Sequence, residues 1–172
     1  MADGESLLYK TLTRALRAKD LGLSVLVVEK SDMIGGTSAI SGGGIWIPMN
    51  PQIAGLGGED NFNDAWTYVT TATRGTVPEA RLRTYLETGP KMLDWFEKET
   101  AVQFVPTLYP DYHPTMDGGL DVGRSVLAAP FDTSALEADL KRLRPPLSTI
   151  TFMGMMFNSS NADIKHFFNA TK

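Results

Sequence analysis

The spacing of apolar and polar positions changes several times along the chain, and each change marks an element. Leu8, Leu12, Ala15, Leu16 and Ala18 recur at helical spacing, with Lys19 near the end and Gly22 as a stop, which predicts a first helix. Leu23–Val28 follows as five apolar residues around one serine, the composition of a parallel strand covered on both faces. After a polar, glycine-containing connection over Gln52–Gly58, Asp60 or Asn61 is placed to cap a helix carrying Trp66, Val69 and Thr73. A further helix begins near Pro78 with Leu82, Tyr85 and Leu86 on one face. Gly89-Pro90 is expected to interrupt it, with the proline opening a next helix of Met92, Leu93 and Phe96. Val102–Val105 reads as a short strand, Pro106–Gly119 as a proline-rich aromatic loop, and Gly123–Val126 as extended chain. Ser134-x-x-Glu137 is a capping box ahead of Leu136, Leu140 and Leu143, and Pro145-Pro146 stop that helix. A last helix is expected from about Asn161, with Ile164, Phe167 and Phe168 on one face.

Composition narrows the possibilities. With 172 residues and 42% apolar content there is enough chain for one domain with a real core. Twenty acidic against 16 basic residues, with no basic run, give a net charge of −4 and argue against a nucleic-acid partner. The absence of cysteine excludes disulfides, thiolate metal sites and cysteine nucleophiles. The 2 histidines, His113 and His166, are too far apart to make a metal-ligand pattern, and neither is assigned a catalytic role. The opening MADGESLLYK lacks a basic start followed by an apolar core, and Thr149–Phe157 is too short for the roughly 20 residues that a membrane helix needs. A soluble, cytoplasmic protein is the expectation.

The densest chemical signal lies after the apolar run. Glu29 is expected at the carboxyl end of the strand, where a carboxylate in a doubly wound sheet can accept hydrogen bonds from both hydroxyls of an adenosine ribose. Gly35-Gly36-Thr37-Ser38 and Ser41-Gly42-Gly43-Gly44 follow, so that backbone amides can approach a flat or anionic ligand with no β-carbon in the way.

These residues carry a family resemblance. VVEKSDMIGGTSAISGGGIWIP resembles the FAD-binding segment of flavoproteins related to 3-ketosteroid Δ1-dehydrogenase, within the wider succinate dehydrogenase/fumarate reductase flavoprotein superfamily. Trp46 and Pro48 after the glycines favour the ketosteroid branch, and PDYHP at Pro110–Pro114 and GRSV at Gly123–Val126 add to the likeness. It runs from about Ala15 to the last residue and covers only the beginning of such an enzyme.

The resemblance implies an α/β fold: an incomplete Rossmann-like FAD-binding domain, spanning residues 1–172, with a mostly helical insertion over Asp60–Glu99. FAD is the implied cofactor, held by Glu29, Lys30, Gly35, Gly36, Thr37, Ser38, Ser41, Gly42, Gly43 and Gly44. Tyr112, in the family's P-D-Y motif, is the implied catalytic residue. The implied reaction removes two hydrogens across a C–C bond beside a ketone, a base taking the α proton and flavin N5 the hydride. The implied substrate is a steroid or similar cyclic ketone; the electron acceptor is left open.

One departure is plain. The family's G-x-G-x-x-G turn, counted back from ALRAKDLGL, falls on Ser6, Leu8 and Thr11, and only Met1–Glu5 stand where a first strand belongs. Later flavin segments and a substrate domain have no counterpart here. The alternatives are a truncated or degenerate flavoprotein without activity and a fumarate-reductase-like flavoprotein.

Overall fold

The computed structural model describes the backbone of residues 5–132, 134–148, 151–152 and 155–156, and side chains from residue 13 to 148 apart from 133, 135 and 137. The expected helix near Asn161 and His166 lie outside the described residues. Two compact units emerge: one holds the described residues through Gly42 and those from Asp132 on, the other is Gly43–Phe131.

The first unit opens with α1, Glu5–Asp20. It stops as the sequence predicts. Gly22 takes φ 78°, and the Gly22 and Leu23 amides donate to the Lys19 and Ala18 carbonyls, a glycine-based helix end. Leu23–Val28, expected as a buried strand, is instead outside any helix or strand, with Leu26 86% and Val28 81% exposed. A strand covered on both faces needs neighbours, and none of the described strands pairs with it. Ser38–Ile40 forms a single 3-10 turn, and Ile34 bridges to Leu143 in parallel.

The helix expected after Ser134 is a 3-10 helix, Ser134–Arg142. The Asp132 carboxylate accepts from the Ser134 amide at 2.9 Å, a bond that lowers the Asp132 pKa from its ordinary value. Asp132 thus does the capping expected of Ser134; the Glu137 side chain lies outside the described residues. The unit also contains a short antiparallel pair, β4 (Thr151–Phe152) with β5 (Met155–Met156).

The second unit is a three-stranded antiparallel sheet and two helices. Its strands are β1 (Gly44–Trp46), β2 (Phe104–Pro106) and β3 (Ser125–Ala128), in the order β1-β3-β2. Ile45 and Pro106 both register with Val126 of the central strand. Pro106, which has no N–H to give, sits on an edge strand, where sheets tolerate proline.

Asn61 caps α2 (Phe62–Thr73), its side chain accepting from the Asp64 amide at 3.0 Å. The polar connection before it is ordered too, as a 3-10 helix over Pro51–Leu56 capped by buried Asn50. The expected break at Gly89-Pro90 does not occur: α3 runs unbroken over Glu79–Glu99 with Pro90 inside. Leu82, Leu86, Gly89 and Leu93 are all buried, so the apolar face continues across the proline, and packing outweighs the missing hydrogen bond. Gly89 packs closely there: a β-carbon would lie 3.1 Å from Ile47 Cγ2, so that side chain would have to give by a few tenths of an ångström.

Ala65, Tyr68, Val69, Leu82 and Leu86 form one core cluster, and Ile47, Leu93 and Val126 another. Trp66 is packing, as expected, with its ring 5.9 Å from that of Phe62. Among the described residues no helix is long and apolar enough to cross a membrane.

Candidate functional site

The candidate residues divide between the two units. Glu29, Lys30, Gly35, Gly36, Thr37, Ser38, Ser41 and Gly42 belong to the first, and Gly43, Gly44 and Tyr112 to the second.

In the first unit, Glu29 and Lys30 are exposed. Glu29 does not stand at the end of a paired strand as expected; it begins a turn, and its carboxylate accepts from the Ser31 amide at 3.0 Å. Gly35 has φ 119°, and a β-carbon on it would come 2.6 Å from Ala39 Cβ, so the turn closes only with glycine there. Gly36 is also left-handed, at φ 51°. The turn then enters the 3-10 element that carries Ser38. The Ser38 hydroxyl is buried and has no hydrogen-bond partner. Buried hydroxyls are seldom left so. Gly42 faces open space. Glycines without β-carbons, an unpaired hydroxyl and an exposed carboxylate form the donor and acceptor set suited to phosphate and ribose, so these residues fit a dinucleotide.

In the second unit, Gly43 has φ 70°, and its carbonyl accepts from the Ala128 amide at 3.1 Å. Gly44 opens β1, where a β-carbon would lie 3.2 Å from Leu127 Cδ2. At these two positions glycine serves the sheet.

Tyr112 is 93% exposed, while its neighbour Asp111 is 4% exposed. The Asp111 carboxylate accepts from Trp46 Nε1 at 2.6 Å, from the Leu120 amide at 3.0 Å and from Arg124 Nη1 at 2.8 Å. Arg124 is itself 1% exposed. Its Nε and Nη2 donate to the two oxygens of Asp60 at 2.9 and 2.7 Å, and Nη1 also donates to the Gly118 carbonyl at 2.7 Å. The Trp46 and Tyr68 rings lie 5.8 and 5.4 Å from the guanidinium carbon. Burial alone would weaken the Arg124 charge, but Asp60, then Asp111, outweigh it and raise its pKa above the ordinary value. On the far side of Tyr112, the His113 amide donates to the Tyr68 hydroxyl at 3.2 Å.

The sequence pattern offered Asp60 only as a helix cap, and Asp111 and Arg124 only as members of the PDYHP and GRSV motifs. A signal was present, since Arg124 is a charged residue entering an apolar strand directly after glycine, an arrangement that demands a buried counter-charge. Among the described residues no acidic or histidine cluster could hold a metal ion.

Comparison with known proteins gives the family. Residues 11–153 match the FAD binding domain family. The chain belongs to this flavoprotein family. It is 40% identical over 141 residues to a 3-oxosteroid 1-dehydrogenase of Mycolicibacterium smegmatis, covering 81% of this chain and 25% of that one. It is 37% identical over 164 residues to the 4-oxocyclohex-2-ene-1-carboxylate 5-dehydrogenase of Sinomonas cyclohexanicum, covering 94% of this chain and 27% of the relative. Among solved structures, the 3-ketosteroid Δ1-dehydrogenase of Sterolibacterium denitrificans, crystallised with 1,4-androstadiene-3,17-dione, aligns with TM-score 0.77 and 42% identity, over 84% of this chain and 26% of that one. The flavoprotein chain therefore spans about a quarter of the length of the relatives it matches. Mixed helix and sheet is the observed class.

Proposed function

We infer that this chain supplies the first part of an FAD-dependent dehydrogenase that introduces a C=C bond beside a ring ketone, as 3-ketosteroid Δ1-dehydrogenases do. One observation carries the reading: the flavoprotein's relatives include enzymes named for a steroid ketone and for a cyclohexenone carboxylate, so ring ketone desaturation is their shared chemistry. Residues 1–172 then form part of a Rossmann-like FAD-binding domain with a helical insertion. Leu23–Val28 is the segment suited to its sheet once neighbouring strands are present.

In this reading Glu29 accepts from the adenosine ribose, Lys30 stands beside it, and Gly35 to Gly44 with the Thr37, Ser38 and Ser41 hydroxyls line the pyrophosphate and the flavin. Bound FAD supplies the hydride acceptor. Tyr112 belongs to the proton side of the reaction. Its part is to hydrogen-bond a second group that removes the proton α to the ketone.

The test is a hybrid in which this chain replaces the matching quarter of the M. smegmatis enzyme. A yellow protein that desaturates a 3-ketosteroid or a 4-oxocyclohexane carboxylate supports the reading, and the faster substrate names the class. A correctly folded hybrid without flavin absorbance refutes it. That outcome would favour a degenerate flavoprotein, a reading to which the exposure of Leu26 and Val28 gives weight.

A further inference from the structure

We propose that Asp60, Asp111 and Arg124 form a buried ionic clamp that positions Tyr112 for the reaction, with Tyr68 holding the loop on the other side. The inference rests on the catalytic reading of Tyr112 and adds positioning residues to it.

An exposed side chain on a long loop is ordinarily mobile, and a catalytic phenol must be held to within fractions of an ångström. In this loop the fixing is done by the backbone on either side of the phenol. Before Tyr112, the Asp111 amide donates to the Leu120 carbonyl at 2.9 Å, and the Asp111 carboxylate takes the Leu120 amide in return at 3.0 Å. This closes Asp111 to Leu120 into a ring pinned at its neck. After Tyr112, the His113 amide is held by Tyr68, which is 6% exposed on the buried face of α2. Both neighbours of the tyrosine are therefore attached to the core, and the phenol between them is exposed.

The charges make the attachment hard to slip. Arg124 presents its fork to Asp60 and its remaining edge to Asp111, with side chains of all three at most 1% exposed. Asp60 is fixed in turn by the Met49 amide at 2.8 Å and the Asn61 amide at 2.9 Å, which tie it to the entry of α2. The Asp111 carboxylate pulled off this guanidinium loses its buried counter-charge while Arg124 stays paired with Asp60, which holds the loop in this position. A purely hydrophobic anchor, being non-directional, would not fix the angle at which the next residue leaves the core.

The clamp acts through Tyr112, and a double-mutant cycle in the hybrid holoenzyme reads that action. Asp111→Asn turns one oxygen into a donor facing other donors. It is expected to lower kcat by about tenfold or more, with KM and flavin content little changed. In a Tyr112→Phe background the same substitution is expected to change kcat by less than about twofold, because there is no phenol left to misplace. Tyr68→Phe, which keeps the ring and removes the His113 anchor, gives a milder variant if Asp111→Asn does not fold. In the 172-residue chain alone, Tyr68→Phe is expected to speed amide hydrogen exchange at His113 by about tenfold or more, independent of any turnover. An Asp111→Asn loss of kcat of equal size in both backgrounds, or unchanged exchange at His113, overturns the clamp as a positioning device. A Tyr112→Phe hybrid with parental kcat is a different result, and overturns the catalytic reading beneath it.

Discussion

A β-carbon on Gly118 would overlap the Asp64 carbonyl oxygen, and Gly118 has φ 75°, so no other residue can occupy this crossing of the loop over α2. Its carbonyl also receives Arg124. Gly118→Ala is expected to destabilise the second unit by at least about 2 kcal/mol, measured as a lowered urea midpoint. Tyr85 gives a pH dependence with a definite sign. Burial raises its pKa from 10.0 to about 12, and its hydroxyl donates to the Trp46 carbonyl. A group with a raised folded-state pKa contributes stability that is complete below the unfolded value and disappears as pH rises through the folded one. Unfolding midpoints are therefore expected to fall between pH 10 and about 12 in the parent, and to fall less in Tyr85→Phe. Glu29 makes a test of the ribose role. Glu29→Ala in the hybrid is expected to weaken FAD by at least about tenfold, the loss of hydrogen bonds to a charged acceptor, and unchanged flavin fluorescence titration would remove the assignment.

At the level of elements, Pro90 in the middle of α3 is the place where local preference and packing disagree. Proline cannot donate to the Leu86 carbonyl and its ring crowds that carbonyl, at a cost of about 3 kcal/mol in an isolated helix. Pro90→Ala is expected to stabilise the second unit by about 1–3 kcal/mol, read as a raised urea midpoint. The same conflict shows what a sequence can and cannot reveal. Elements set by local signals were legible: the glycine stop of α1, the Asn61 cap of α2, the extended return at Gly123–Val126, and the packing role of Trp66. Elements set by partners far away in the chain were not. Nothing local says that α3 will continue past Gly89-Pro90, because what covers its apolar face there, Leu93 packed with Ile47 and Val126, comes from other parts of the chain. Nothing local says that Leu23–Val28 will lie unpaired, because its pattern reports only what the segment is suited to. At the candidate site, the glycine turn and the exposed tyrosine stand out in the sequence through glycine, proline and aromatic residues. The buried triad does not, since its three members come from separate segments brought together by the fold.

For the whole molecule, the two units differ in how well their apolar surface is covered. The second has continuous core clusters, whereas the first leaves Leu23, Leu26 and Val28 at least 60% exposed. An exposed, valine-rich and uncharged run with strand composition is a template for pairing with another chain. The isolated chain is therefore expected to bind a hydrophobic dye and to self-associate, and Leu26→Lys with Val28→Lys to reduce both, as read by light scattering.

The connection between β2 and β3 carries a different consequence. Long exposed loops are where related chains ordinarily gain and lose residues. Here a buried carboxylate and an exposed phenol are adjacent, and the carboxylate must meet Arg124. Deleting one residue between Pro106 and Asp111 would bring Tyr112 to the place of the carboxylate, and adding one would bring Pro110 there, so either takes Asp111 off Arg124. The stretch therefore has the solvent exposure of a loop and the indel intolerance of a core strand, and its length should drift far less than its surface residues.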